Sequence, residues 1–339
     1  MIERTNPDGF EANTRCAVED VCAWPNLKKL PDGSILAAIF NQPCHGMWEG
    51  DLDGYRTTDG GETWSRLARI AEHERPGSNR MNCSVGYAAN GDLITLCAGW
   101  HNRHPRGKSG PFKSEDRGST RTYRSTDNGK SWTAGEQLPD LPDEAIFTPF
   151  GDIHIAADGR LITPGYMSTT QVNRQHGSYT QESTDDGETW QVGSSINQIG
   201  NETALLPLGN GRWLAASREE HDKHVEQFVS DDDAKTWTRV GPLTLPGQIT
   251  AHLLRLHDGR ILLSYGNRCI NNYGVDVRFS EDDGKSWGEP TRVADAPLRD
   301  CGYPSTVELS DGWFLTAWYS QLPGEYQYAM YATRWCLRQ

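Results

Sequence analysis

The chain is short of positive charge: 33 Lys and Arg face 46 Asp and Glu, a formal net charge of -13. That balance argues against nucleic acid or an anionic membrane surface as a partner, although it leaves room for a local basic pocket. No apolar run approaches membrane-spanning length, and Met1-Ile2-Glu3-Arg4-Thr5-Asn6 has no charged-then-apolar signal pattern. The expectation is a soluble cytoplasmic protein, or a periplasmic or secreted one if a signal was trimmed. Eight cysteines are scattered without a CxxC pair, so free thiols are expected in place of disulfides or a metal site. His101-Asn102-Arg103-His104 resembles a metal pair only loosely, and no metal or cofactor is expected. Long segments of 3.6-residue periodicity are also missing, which excludes a helical solenoid.

What the chain has is repetition. Thr57-Thr58-Asp59-Gly60-Gly61-Glu62-Thr63-Trp64 returns as Ser125 to Trp132, Ser183 to Trp190, Ser230 to Trp237 and Ser280 to Trp287. The pattern Ser/Thr-x-Asp-x-Gly-x-Thr/Ser-Trp suits a tight hairpin. Its carboxylate can accept backbone N–H bonds, its Gly can take positive φ, and its Trp can anchor the turn from beneath. In the fourth copy Ala234 stands where Gly is expected, at a cost if that position needs positive φ.

Between the boxes, six apolar strands run into an Asp-Gly-like turn and out again: Leu27 to Phe40, Val85 to Ala98, Ile153 to Tyr166, Ala204 to Ser217, His252 to Asn267 and Pro304 to Tyr319. Strand, turn, strand and box hairpin make four antiparallel strands per unit. Six units of roughly 50 residues predict one all-β domain over residues 1–339, a six-bladed β-propeller with four-stranded antiparallel blades. The sixth unit lacks a box, and its last strand is expected over Tyr326 to Trp335. The stretch before Trp24 is left to complete the ring by pairing with it.

Hairpin parity puts both sets of tight turns on one face. The starts of each first strand and the ends of each second strand then meet on the other face, near the axis. Residues there are Ala23, Trp24, Asn41 and His45; Arg80, Asn82, Trp100 and His101; Asp152 and Tyr166; Asn201, Glu202 and Arg218; His252, Asn267 and Arg268; Tyr303 and Tyr319. Carboxylates, arginines and aromatics concentrate on this face, so the boxes are structural. Trp24, Trp48 and Trp100 could offer flat apolar faces to a ligand or pack between blades. The segment from His101 to Lys113 reads as a long loop over the same face.

With these boxes the chain resembles the sialidase (neuraminidase) superfamily of six-bladed propellers, over essentially its whole length. The resemblance implies that a Glu on the fourth blade activates a Tyr on the sixth, while three arginines bind a substrate carboxylate. Glu202 in Gly200-Asn201-Glu202-Thr203 matches that Glu, and Tyr303 in Cys301-Gly302-Tyr303-Pro304-Ser305 matches the Tyr. Arg218 and Arg268 match the second and third arginines. A Tyr hydroxyl needs such a base because its reference pKa is about 10. A neutral nucleophile also suits an anomeric carbon bearing a carboxylate, which departs from the two-carboxylate scheme of most glycosidases.

Two departures bear on activity. Where the family carries Phe-Arg-Ile-Pro, this chain has Cys22-Ala23-Trp24-Pro25, so Ala23 replaces the first arginine; Arg80 is a candidate to restore the charge. The family's general acid, an Asp after the first hairpin, has no unambiguous counterpart in Gln42 to Asp51. Glu49 is the first candidate, then Asp51 and His45. The expectation is an exo-acting, retaining glycosidase for a terminal acidic sugar, with a carbohydrate as its partner. Rivals are a lyase or hydrolase on uronic-acid glycans without a covalent intermediate, with His45 or Tyr303 as acid/base, and a non-catalytic glycan-binding propeller.

Overall fold

The computed structural model describes residues 9–104, 116–139, 145–168, 177–324 and 327–337. Among them all 25 regular elements are β-strands. Strand β1 (Phe10–Glu19) leads into a first sheet of β2 (Cys22–Lys29), β3 (Ile35–Phe40), β4 (Leu52–Thr57) and β5 (Ser65–Ala71). A second group is β6 (Asn82–Tyr87), β7 (Leu93–Trp100), β8 (Arg117–Ser125) and β9 (Thr133–Gln137). A third comprises β10 (Ile146–Pro149), β11 (Gly151–Ile155), β12 (Leu161–Ser168), β13 (Gly177–Ser183) and β14 (Gln191–Asn197). The fourth sheet holds β15 (Gly200–Gly209), β16 (Arg212–Glu219), β17 (Val225–Ser230) and β18 (Thr238–Pro242). The fifth holds β19 (Gln248–Arg255), β20 (Ile261–Asn267), β21 (Gly274–Ser280) and β22 (Thr291–Asp295). The sixth is β23 (Cys301–Glu308), β24 (Phe314–Gln321) and β25 (Tyr328–Leu337), with β1 as its fourth strand.

Two features differ in detail from the sequence reading. The second and third groups are fused, because β6 and β11 pair in parallel through Ser84↔Gly151, Val85↔Asp152 and Gly86↔Ile153. Gly86 permits this approach, since a Cβ there would lie 2.3 Å from the Ile153 carbonyl oxygen. In the third group the first strand is broken at Phe150, and β10 and β11 both pair with β12. The N-terminal strand does pair with the last one, from Phe10↔Leu337 to Glu19↔Ala329, with a bulge between Cys16 and Val18.

The cores lie between neighbouring sheets. Ile35, Ala37 and Ile39 of the first sheet pack on Leu315, Ala317 and Met330 of the sixth. Leu206 and Leu214 of the fourth pack on Leu253 and Leu263 of the fifth. Each box Trp enters such a core: Trp64, Trp190, Trp237 and Trp287 each lie between their own sheet and the one before it. Along the axis β2 touches β6 and β23, β11 touches β6 and β15, and β19 touches β15 and β23.

All five boxes close the same way. The Asp accepts bonds from the backbone N–H and hydroxyl four residues on, as at Asp59, where Thr63 N and Oγ1 donate at 3.0 and 2.6 Å. The leading hydroxyl accepts from the N–H of the Gly position, at 2.9 Å for Gly61 and 3.0 Å for Ala234. Ala234 sits at φ +64°, so the left-handed conformation is kept without glycine. Trp64, Trp132 and Trp190 donate Nε1–H to their own Gly carbonyls, whereas Trp237 reaches Ser194 and Trp287 reaches Gln227. Boxes and Asp-Gly turns share one face, since Asp186 of a box accepts from Ala89 N beside the Asn90-Gly91 turn.

Candidate functional site

At the opposite face the innermost strands are bulged. The pairing register slips between Cys22 and Asn26, Gly200 and Thr203, Ile249 and Ala251, and Gly302 and Ser305. At three of these bulges a non-glycine residue takes positive φ: Ala23 at +61°, Thr250 at +61° and Tyr303 at +51°. A bulge turns a side chain out of its strand's alternation, and here it leaves the Tyr303 hydroxyl facing Glu202 and Arg218. The strain of about 1 to 2 kcal/mol for such a residue is offset by what its ring and hydroxyl touch.

The Tyr303 hydroxyl donates to Glu202 Oε1 at 2.7 Å, and Arg218 Nη1 donates to the same hydroxyl at 3.0 Å and to Glu202 Oε2 at 2.5 Å. Glu202 and Tyr303 are both buried. Burial and then the neighbouring Glu202 charge push the Tyr303 phenol well above its ordinary range, against the pull of Arg218 and Arg268. An ionised phenol is thereby disfavoured, and Glu202 is the acceptor its proton already meets. Burial opposes charge on Arg218, but Glu202 and Tyr303 hold its guanidinium above its ordinary value.

Arg268 comes from the end of β20. It bonds the Cys301 carbonyl at 2.9 Å, Tyr319 Oη at 2.8 Å and Asp300 at 2.9 Å, and its guanidinium lies 5.5 Å from the Tyr303 ring centre. Asp300 accepts from the hydroxyls of Tyr319 and Tyr328 at 2.7 and 2.6 Å. The sequence reading passed over Asp300; its position three residues before Tyr303 was the available signal. Beside these groups opens a cavity of about 350 Å³ lined by Arg218, Lys223, Arg268, Arg299, Asp300 and Gln321.

Aromatic rings form the floor. Trp24 lies 5.5 Å from the Tyr303 ring and 5.1 Å, edge-on, from His45, while Phe150 lies 6.0 Å from Tyr303. Ala23, Met81, Trp100 and Tyr319 belong to the same packed cluster. Burial lowers the His45 pKa from its ordinary value, and the nearby Asp300 and Glu202 charges offset this only in part. Asn82 donates to Tyr166 Oη at 3.4 Å.

Other expected residues lie elsewhere. Asp51 is buried and held by His73 N and Nδ1 at 2.8 and 2.7 Å and by Arg69 at 2.9 Å. Glu49 accepts from Gly77 N at 2.6 Å and faces His73 at 3.4 Å. The reason is a backbone clasp: Trp48 bridges His104, Glu49 N donates to the His104 carbonyl, and Asn79 holds the Trp48 carbonyl. Both carboxylates are thereby directed to the 73–77 turn and not to Tyr303. Arg80 points into its own sheet, bonding the Cys97 and Ser119 carbonyls at 3.0 and 2.6 Å and Glu74 at 2.5 Å. It is no substitute for the arginine missing at Ala23. Asp152 pairs with Lys28 and faces His252 at 3.5 Å, and residues 105–113 of the expected long loop lie outside the described residues.

One further cation went unnoticed in the sequence. Arg117, at the start of β8, lays its guanidinium 4.7 Å from the Trp100 ring centre and 5.7 Å from that of Tyr166. Among the described residues Glu219, Asp222 and His224 have metal-ligand spacing, but Asp222 and Glu226 already engage the two His224 nitrogens.

Comparison with known proteins sets this geometry in a family. The model of the BNR repeat-like domain matches residues 30–315. A sialidase of Paraclostridium sordellii is 24% identical over 235 residues, covering 65% of this chain and 57% of its own length. The chain thus spans little more than half of that relative. A protein of unknown function from Dyadobacter fermentans superposes with a TM-score of 0.81 at 21% identity, covering 98% of this chain and all of that one. Trypanosoma rangeli sialidase, bound to the inhibitor DANA, gives 0.74 at 15% identity, covering 94% of this chain and 55% of that one. At these identities the two structures speak for the fold alone. On the match across residues 30–315, the chain belongs to the BNR repeat-like domain family, within the sialidase-like superfamily.

Proposed function

We propose that residues 1–339 form a single six-bladed β-propeller acting as an exo-glycosidase of the sialidase type, releasing a terminal sugar that bears a carboxylate. The observation that carries the reading is the triad of buried Glu202 and Tyr303 with half-buried Arg218, and its 2.7 Å bond from phenol to carboxylate. The sheet-to-sheet cores and the axial strand contacts support the closed ring. The relative that is 24% identical is a sialidase, of which 57% is shared.

In this reading Tyr303 Oη attacks the anomeric carbon as its proton passes to Glu202 Oε1. The glycosidic oxygen departs with a proton from His45, which stands beside Trp24 where Glu49 and Asp51 do not reach. Water then attacks the anomeric carbon and gives a proton to the now neutral His45, while the bond to Tyr303 breaks and the departing phenolate recovers its proton from Glu202. Arg218 and Arg268 hold the sugar's acid group with paired N–H bonds. Because Ala23 offers no third arginine, the preferred sugar differs from the common sialic acids.

The test is release of free sugar, by mass spectrometry, from sialosides, other keto-acid glycosides and uronic-acid oligosaccharides. Turnover of one member should fall at least about a thousandfold in Tyr303→Phe, the scale on which loss of a nucleophile is felt. Binding without turnover in the wild type would instead mark a glycan-binding propeller.

A further inference from the structure

Among the described residues Arg117 is a cation without a counter-ion. Its side chain is half-buried, and Nε is shut off from water without any hydrogen-bond partner. Nη1 donates to Thr148 Oγ1 at 2.9 Å, and the faces of Trp100 and Tyr166 flank the guanidinium. No carboxylate approaches it among the described residues. Its sequence neighbour Asp116 is committed to Arg103 at 3.0 Å. The other enclosed arginines of this region are paired: Arg80 with Glu74, Arg218 with Glu202 and Arg268 with Asp300. Arg278, which lacks a carboxylate, is instead capped by three backbone carbonyls. Ring faces offset part of the cost of enclosing a charge but supply no negative charge. Burial accordingly depresses the Arg117 pKa, the reverse of Arg218 and Arg268.

Position adds to this. Tyr166, against which Arg117 lies, is close enough to Glu202 and Arg218 for both charges to act on its phenol. Trp100 packs in the aromatic floor with Tyr303. Arg117 thus reaches the aromatic cluster around Tyr303 from the second group of strands, through Trp100 and Tyr166, whereas Arg268 lines the cavity from the fifth sheet. In a six-membered ring those two are opposite each other.

We propose that Arg117 binds a second anionic group of the substrate, a sugar carboxylate or sulfate, across the pocket from the acid group held by Arg218 and Arg268. The inference rests on the glycosidase reading for the word substrate, but its chemistry does not need turnover. With its guanidinium 4.7 Å from the Trp100 ring centre and Nη1 held by Thr148, Arg117 has Nη2 to offer a planar or tetrahedral oxyanion. The glycan taken would carry two acidic groups, one on the released sugar and one on its neighbour.

The test is calorimetric titration of the full chain with glucuronate, glucose 6-sulfate and glucose, in an Arg268→Met background that weakens the first acid site. Binding of either anion, with glucose silent, is expected; which anion binds identifies the group. Adding Arg117→Met should weaken it about tenfold to a hundredfold, the effect of losing a charge-assisted pair, while Arg117→Lys recovers part. The melting temperature of Arg117→Met should equal or exceed that of the parent, since an uncompensated charge is removed. Unchanged anion affinity in Arg117→Met, no anion binding at tens of millimolar, or a lower melting temperature with unchanged affinity would each overturn the proposal. Anion binding that survives in an inactive Tyr303→Phe protein separates this result from the fate of the glycosidase reading.

Discussion

Replacing Glu202 by Gln tests the centre of the site most directly. Glu202 is 4% exposed and takes two strong bonds, from Tyr303 at 2.7 Å and Arg218 at 2.5 Å. Breaking a buried ion pair by removing one partner costs about 3 to 5 kcal/mol. Gln keeps the shape and one acceptor, and Glu220 remains 3.4 Å from Arg218 Nε, so the loss should be smaller, about 2 to 3 kcal/mol. For 339 residues the unfolding entropy is about 0.7 kcal/mol/K, which turns that loss into a fall of about 3 to 4 °C in Tm. Tyr303→Phe removes only the phenol's hydrogen bonds and should cost about 1 to 2 kcal/mol, or 1 to 3 °C. Stability alone does not separate a structural ion pair from a catalytic one, whereas rate does. A base that must take the Tyr303 proton cannot be replaced by an amide, so turnover should fall about a thousandfold or more while the protein stays folded. Calorimetry and initial rates on the same preparations decide the matter. A Glu202→Gln protein that melts 3 to 4 °C lower yet retains a tenth of its activity would refute the reasoning.

If His45 is the general acid, it works only when protonated, and its lowered pKa places the alkaline limb of kcat/KM below about pH 6.5; His45→Gln should abolish that limb, and a limb unchanged in the variant removes His45 from the role. The box carboxylates Asp127 and Asp232 are pulled down to about 2, chiefly by their Ser131 and Thr236 hydroxyls. Their folded pKa lies below the unfolded one, so the stability they add is present above about pH 4 and is lost as pH falls toward 2; a Tm constant from pH 5 to 2.5 would contradict this. Gly187→Ala puts a Cβ 2.3 Å from Ile94 Cδ1 at φ +89° and should cost about 2 to 4 kcal/mol in denaturant unfolding. Gly159→Ala, with φ +88° and nothing within 4 Å, should cost only about 1 to 2 kcal/mol; equal losses would show that the contact with Ile94 is without weight.

Much of the fold was legible because the repeat carries its own chemistry. Asp, Gly and Trp at fixed spacing specify a hairpin, and the structure closes each box with the same bonds, including the fourth, where Ala234 keeps the glycine conformation. The pairing of β1 with β25 followed from counting: the last unit lacked a hairpin and the first residues lacked a partner. What counting did not show was the parallel pairing of β6 with β11, which turns on Gly86 lying against the Ile153 carbonyl, a contact distant in sequence.

The site divides along the same line. Glu202, Arg218 and Tyr303 sit on strands and Arg268 directly follows one, where hairpin parity fixes which end and which face a side chain occupies, and they converge. Glu49, Asp51 and Arg80 sit in connections, where direction is set by contacts such as the clasp of Trp48 on His104 and the pull of Glu74 on Arg80. Arg117 escaped notice for a related reason. It is the first residue of β8, a third strand, whose beginning on the pocket face follows from the same parity, but the preceding loop made the strand's start unreadable. Ala23 completes the logic. It holds the same left-handed bulge as Tyr303, is 1% exposed and packs against the aromatic floor, so an arginine could not be restored there without displacing rings. If the proposal for Arg117 holds, the second cation that meets the substrate stands on the next group of strands and not on the first sheet.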